Sequence, residues 1–310
     1  MNYEDLLTRI VLSDDKYIVM TSENRAAIRN IPKILGSRFI DTGITEQTMI
    51  GISAGLALRG KIPIVHALAS FLTMRAFEFI RTDIGIGQLP VKLIGSVAGF
   101  LSEANGPTHQ AIEDISLMRV IPKMKIFCPA DEQDMLLGLP KILDYSRPVY
   151  IRYNSLPALF EHKPFELGQA EIVTEGNDVT ILSYGMLARE SFIAVEKLAA
   201  KGINARLINL RTLKPFDDEA VLRAVLETPL IVTIEDHFKK GGLYSILAEF
   251  LLKNKLTADV EAIALKNRWF KPALLNDVLE NEGFSGSQIA DRIEHYLLKK
   301  GIDYAERIKV

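Results

Sequence analysis

IPIVHALASFLTMRAFEFIRTDIGIGQLPVKLIGSVAG, from Ile62 to Gly99, reads as a strand, a helical stretch and a second strand. Both strand runs, Ile62–Leu68 and Val91–Gly99, are apolar almost without alternation. Runs of that kind belong to parallel strands covered on both faces, and parallel strands need a crossover between them. The rhythm extends outward in both directions. KYIVM (Lys16–Met20), MKIFC (Met124–Cys128) and PVYIRY (Pro148–Tyr153) are further strand candidates. Helical patterns fill the gaps over Glu46–Leu58, Phe71–Arg81, Gln110–Met118 and Glu132–Leu143. Strands alternating with helices predict an α/β fold, doubly wound, with a mostly parallel sheet.

Between Ser155 and Gly176 the rhythm breaks, because Pro157, Pro164 and Gly168 interrupt any regular element. A second α/β series follows: DVTILSY (Asp178–Tyr184), a helix through Met186–Ala200, ARLINL (Ala205–Leu210), PLIVTIED (Pro229–Asp236), a helix from Leu243 to Leu252, and VEAIAL (Val260–Leu265). Two doubly wound domains are therefore expected, over 1–157 and 176–310, with a linker at 158–175.

Composition narrows the function. The chain has 310 residues, 48% hydrophobic and 25% charged, with a net charge of −2. No dense basic run suggests nucleic acid, and no stretch nears the ~20 apolar residues of a membrane helix. One cysteine, Cys128, excludes an internal disulfide framework or a cysteine-rich metal site. The N-terminus lacks an apolar secretory core, so a soluble cytoplasmic protein is expected.

Two segments ask for more than fold physics. GITEQTMIGISAGLAL puts Glu46 at the mouth of a helix whose residues Gly51, Ser53, Ala54, Gly55 and Ala57 are small, so that it reads as a tight interface element as readily as a core helix. NGPTHQAIED makes a turn at Asn105–Gly106–Pro107 that presents His109 just before a helix. Both fall where open α/β sheets bind ligands, beyond the carboxyl ends of strands.

Taken with SFLTMRAFEFIR from Ser70, GPTHQAIEDISLMR from Gly106, CPADEQD from Cys128, NLRTLKPFDDEAV and EDHFKKGGL, these segments resemble transketolase. The likeness covers the part after the diphosphate-binding domain and runs from about Lys16 onward. It implies a pyrimidine-binding domain followed by the transketolase C-terminal domain. It also implies thiamine diphosphate as cofactor and transfer of a two-carbon ketol unit from a ketose to an aldose phosphate.

The resemblance assigns roles residue by residue. Glu46 matches the acid that bonds the aminopyrimidine ring and so lets the cofactor be deprotonated at its thiazolium carbon. Phe71 matches the aromatic that stacks on that ring. Ile44, Leu68 and Met74 would line the same pocket, more aliphatic here than in many relatives, and Glu23 lies near an acidic pyrimidine contact. His109 matches the histidine that faces the substrate's oxygens, and Asn105, four residues earlier, stands where an acidic hydroxyl reader is common. Val97 occupies the position of a usual phosphate-binding His. Arg25, Arg29 and Arg152 are the candidates for holding an anionic tail, and these departures suggest a modified ketose, sulfonated or branched. A plainer reading makes Glu46 a helix-start acid and Phe71 a core side chain. His66, His162 and His295 match no motif, and a structural role is expected for His237.

The Gly-Asp-Gly segment that holds the diphosphate through Mg²⁺ (or Ca²⁺) is not found, so no metal ligand is expected on this chain. An N-terminal-half partner subunit, joined in a heterotetramer, would supply it. The competing readings are the β subunit of a 2-oxoacid dehydrogenase and a non-catalytic transketolase-like subunit. GPTHQ argues against the first, and Glu46, Phe71 and His109 against the second.

Overall fold

A computed structural model of the chain describes residues 1–301. The first half contributes strands β1 (Tyr17–Thr21), β2 (Phe39–Asp41), β3 (Ile62–Leu68), β4 (Lys92–Ser96), β5 (Lys125–Phe127) and β6 (Val149–Arg152). All six are parallel to their neighbours in the order β5-β6-β4-β3-β1-β2. The burial that unbroken apolar runs imply is observed: β1, β4 and β6 are buried at every residue.

Helices α1 (Tyr3–Ser13), α2 (Ile31–Leu35), α3 (Glu46–Leu58), α4 (Phe77–Phe79), α5 (Asp114–Arg119) and α6 (Glu132–Asp144) cover this sheet. The helix expected over Phe71–Arg81 is wound differently. Only α4 is α-helical, and π-helical stretches at Phe71–Arg75 and Ile80–Gly85 flank it. Such widened turns store strain and gather at functional sites. The helix expected from Gln110 begins instead at Asp114, because Gln110 and His109 both donate their backbone N–H to Gly106 in a turn.

The second half is a five-stranded sheet in the order β12-β11-β8-β9-β7. Its strands are β7 (Glu171–Thr174), β8 (Val179–Ser183), β9 (Ala205–Asn209), β11 (Ile231–Phe238) and β12 (Val260–Leu265), with β10 (Thr212–Lys214) leaving for the other sheet. α7 (Leu187–Ala199), α8 (Asp218–Glu227), α9 (Leu243–Lys253), α10 (Leu275–Glu282) and α11 (Gly286–Lys299) complete it.

Two features depart from the expected division. Glu171–Thr174, inside the stretch read as linker, is an edge strand paired antiparallel to β9. β10 crosses over and pairs antiparallel with β5, so the two sheets share chain. Strands of three or four residues at an edge leave too short a pattern for sequence periodicity to register.

The junction is stitched by buried charge. His162, from the expected linker, lies 2.7 Å from Asp131 Oδ2 of the first domain and 2.8 Å from Glu171 Oε2 of β7. Arg211 donates to Glu171 Oε1 at 2.7 Å, and its Nε lies 3.0 Å from Asp134 Oδ1 without hydrogen-bond alignment. Burial opposes the charge on His162, but its bonds to Asp131 and Glu171 prevail and push its pKa up to about 9. A raised folded-state pKa stabilises fully below the unfolded value near ~6.5, and the gain fades as pH rises through the folded value. His162→Asn is therefore expected to lose up to about 3 kcal/mol of stability at pH 6 relative to the parent chain. The gap should close toward pH 9 in urea titrations; a gap independent of pH would mean that His162 is uncharged.

Candidate functional site

In the first sheet the strand order reverses between β1 and β3, and a ligand crevice is expected beyond the ends of those strands. A cleft of about 370 Å³ opens there, lined among others by Asn24, Leu68, Ser96, Val97, Leu101 and Tyr153. Two of the turns that shape it are strained. Glu23 and Val97 have φ of 53° and 51°, a left-handed conformation uncommon outside glycine and a real outlier for β-branched valine. The outlier follows directly on β4, which ends at Ser96 rather than running to Gly99 as expected. Asn24 carries a buried amide nitrogen without a hydrogen-bond partner. A buried unpaired donor costs free energy unless something outside the chain accepts from it.

Four side chains converge next to the chain that leaves the cleft at Leu68, though they do not line it themselves. Glu46 opens α3 and is only 2% exposed. Arg75 Nη1 donates to its Oε2 at 2.9 Å, and the same guanidinium lies 4.1 Å from the centre of the Phe71 ring. The Phe71 and His109 ring centres are 5.0 Å apart. Glu46, Phe71 and His109 are thus brought to one place through Arg75. The spacing holds a signal for it: Arg75 follows Phe71 by four residues, so the two side chains share a helix face. Its cation makes the enclosure of Glu46 ionic rather than purely apolar.

The remaining candidates are spread around this core. Leu68 lines the cleft. Ile44 and Met74 are 65% and 36% exposed on the surface nearby. Asn105 is exposed, ending a 3₁₀ stretch from Gly99 in which Glu103 has non-helical geometry. Thr108 Oγ1 lies 2.9 Å from His109 Nδ1. Glu23 is exposed, and its backbone N–H points to Asp41, whose carboxylate also holds Arg25 at 2.7 Å through Nε.

Arg152 requires correction as a substrate arginine. It is 5% exposed, donating from Nε to Asp114 at 2.9 Å and from Nη1 to Asp236 at 2.6 Å, so it joins the two domains. Sequence position near a strand end cannot distinguish an arginine aimed at a ligand from one aimed at the neighbouring domain.

His66 and His237 serve the scaffold. His66 Nε2 meets the Tyr3 hydroxyl at 2.8 Å, and burial pushes its pKa down to about 4. His237 donates from Nδ1 to the Phe238 carbonyl and accepts from Ser116 N–H at Nε2.

Comparison with known proteins gives a consistent result. Residues 8–156 match the family model for the transketolase pyrimidine binding domain, and residues 168–289 the transketolase C-terminal domain. The chain is 36% identical to a 6-deoxy-6-sulfo-D-fructose transketolase subunit from Clostridium sp. (strain MSTE9), over 93% of this chain and 90% of that one. It is 33% identical to an apulose-4-phosphate transketolase subunit from Phocaeicola vulgatus, over 86% and 87%. A solved structure described as a split gene transketolase, inactive beta4 tetramer, superposes with a TM-score of 0.86 at 33% identity, covering 96% and 97% of the two chains. A transketolase from Pichia stipitis shares the fold at a TM-score of 0.79 and 18% identity, and the present chain spans 47% of its length.

Proposed function

This chain belongs to the transketolase family, with a pyrimidine-binding domain followed by a C-terminal domain, and we propose that it works as the C-terminal-half subunit of a split enzyme. The reaction is transfer of a two-carbon ketol unit from a ketose to an aldose phosphate. The observation that carries the reading is the convergence of Glu46, Phe71 and His109 beside a cleft at the switch point of the first sheet.

The residues suit thiamine diphosphate. A buried carboxyl and an aromatic face held by one neighbouring guanidinium match the needs of an aminopyrimidine, which asks for a proton partner and a stacking surface. When bound, the cofactor supplies the electron sink that ketol transfer requires. Glu46 shares a proton with the pyrimidine, and Arg75 keeps that carboxylate oriented. Phe71, with Ile44, Leu68 and Met74 around it, excludes water from the ring. His109 holds or moves protons on the ketose oxygens, and Asn24 offers its unpaired amide N–H to the same molecule.

A partner subunit holds the diphosphate and its Mg²⁺ or Ca²⁺, and the assembly is a heterotetramer. Support comes from the open face near Glu46. A Cβ added at Gly51 or Gly55 would meet nothing within 4 Å, and Ile44, Leu58 and Ile86 are 65%, 73% and 72% exposed. Apolar surface of this kind marks a protein interface. Among the described residues no helix is long and apolar enough to cross a membrane, and the proposed compartment is the cytoplasm.

The donor is a modified ketose. Val97 and Asn105 replace a usual phosphate-binding His and a usual acidic hydroxyl reader, and the relatives above are named for a sulfonated sugar and for apulose 4-phosphate. Arg25 and Arg152 are taken by Asp41, Asp114 and Asp236, which leaves Arg29, Asn105 and the partner to meet an anionic tail.

Three outcomes are expected. The purified chain with thiamine diphosphate and Mg²⁺ shows no ketol transfer and gains it on mixing with an N-terminal-half subunit; turnover by the chain alone defeats the split-site reading. Glu46→Gln in the complex slows proton exchange at the thiazolium carbon by ~10²–10⁴-fold without loss of assembly, whereas exchange at the parent rate removes Glu46 from cofactor activation. Finally, kcat/KM across a panel of ketoses is highest for a sulfonated or branched sugar. If xylulose 5-phosphate leads the panel at ordinary efficiency, the substitutions at Val97 and Asn105 carry no specificity.

A further inference from the structure

The segment bearing His109 is gripped from the second domain. Gln110, fully buried, donates from Nε2 to the Phe270 carbonyl at 2.9 Å. Two residues on, the Ile112 carbonyl accepts from Phe238 N–H of β11 at 2.9 Å. Further along, Ser116 N–H donates to His237 Nε2 at 3.3 Å. Upstream, Phe100 N–H donates to Asp236 Oδ2 at 3.2 Å, and the Phe100 ring packs edge-on against Phe270 and Phe284. Within its own domain, Gly99 N–H donates to the Ala111 carbonyl at 2.9 Å and closes the turn on itself, and the tie to the first sheet comes only after His109 and Gln110, where Asp114 accepts from Tyr150 and Arg152 of β6.

Gln110 is the member of this set adjacent to His109, and the two share a rigid peptide plane. Fixing the Gln110 side chain on Phe270 therefore fixes the backbone from which the His109 imidazole projects. On its other side His109 meets the Phe71 ring and the Thr108 hydroxyl, which limit its rotation but do not set its depth. A ring that must face reacting oxygens needs that depth held closely, since displacement of about 1 Å is worth up to ~10²-fold in rate.

We propose that the C-terminal domain sets the position of His109 in the transfer site, and that Gln110, held on the Phe270 carbonyl, is the positioning residue through which it does so. The proposal rests on the reading of His109 as the group facing the ketose. It gives the second domain a part in the chemistry without any of its side chains touching substrate.

The test uses the complex reconstituted with the N-terminal-half subunit. Gln110→Met keeps the length and volume of the side chain and removes its donor. It is expected to lower kcat/KM for the donor ketose roughly 10- to 100-fold, with thiamine diphosphate affinity and assembly as in the parent, because Glu46, Arg75 and Phe71 are untouched. Gln110→Glu can donate to Phe270 only while its carboxyl holds a proton, so its activity relative to the parent should decline as pH rises through the pKa of that buried group. A side chain that merely fills space leaves kcat/KM in Gln110→Met at the parent level. Amide hydrogen exchange over residues 106–112 should be faster in Gln110→Met than in the parent complex. Parent-level kcat/KM in Gln110→Met, a pH-independent ratio for Gln110→Glu, or an equal loss of cofactor affinity and assembly would each overturn the proposal. If the parent complex transfers no ketol unit from any ketose, the functional reading fails instead, and the exchange measurement still decides whether Gln110 holds the loop.

Discussion

The arrangement of the whole chain turns on one guanidinium. Arg152, the last residue of β6, is withdrawn from water between Asp114 at the start of α5 and Asp236 in β11. Tyr150 adds a hydroxyl donated to the same Asp114 oxygen at 2.6 Å. Burying an ion costs several kcal/mol even after relaxation, so such a cluster is weak evidence for net stability. Its value is geometric: breaking it strands buried charge, at about 3–5 kcal/mol, and only one docking of the two domains keeps it whole. Lost attraction is cheap at a wet surface and expensive here.

That docking explains why the second sheet has no open crevice at its switch point. Its strand order reverses between β8 and β11, where an open α/β sheet would ordinarily bind something. The first domain fills the spot. Arg152 enters from β6, and the chain at Gly99 approaches so closely that an added Cβ would lie 1.7 Å from Asp236 Oδ2. Gly99 also has φ of 58°, so both space and conformation require glycine. What remains between Arg152, Gly185, Met186 and Asp236 is about 10 Å³, no more than one water fills. The binding position of one domain has become the fastening of the two.

Much of this was legible in the sequence, and the exceptions have physical causes. Unbroken apolar runs announced the parallel strands, because burial on both faces removes the need for polar alternation. Helix bounds followed periodicity well in the second half: Met186–Ala200 was expected and Leu187–Ala199 is observed. Glu46, Phe71 and His109 were singled out through motif order, since each alone has an ordinary structural use, and the fold brings them together. β7, β10, Arg75, Asn24 and the true partners of Arg152 were not found. The two strands are too short to carry a period, and the side-chain roles depend on contacts across 29 residues for Arg75 and Glu46 or 84 for Arg152 and Asp236. Such pairings are fixed by the packed fold, which local pattern does not encode.

The junction and the cleft are built on opposite principles. At the junction, carboxylates find cations inside the chain, which offsets part of the cost of burial, while Asp114 Oδ1 and Arg152 Nη2 stay unpaired. Around the cleft the chain combines backbone strain with an unpaired donor. Glu23 and Val97 hold left-handed backbone, each at about 1–3 kcal/mol, and Asn24 keeps a donor without an acceptor. Strain of that kind survives only where surrounding structure over-determines it. Here the over-determination comes from β1 and β4, buried at every residue and paired to β3 between them, which fix the entry to each strained turn. A ligand that accepts from Asn24 would satisfy the missing bond without rearranging the backbone, so the strain already present in the free chain is not added again on binding. The rigid sheet thus bears the cost of preorganisation before any ligand arrives.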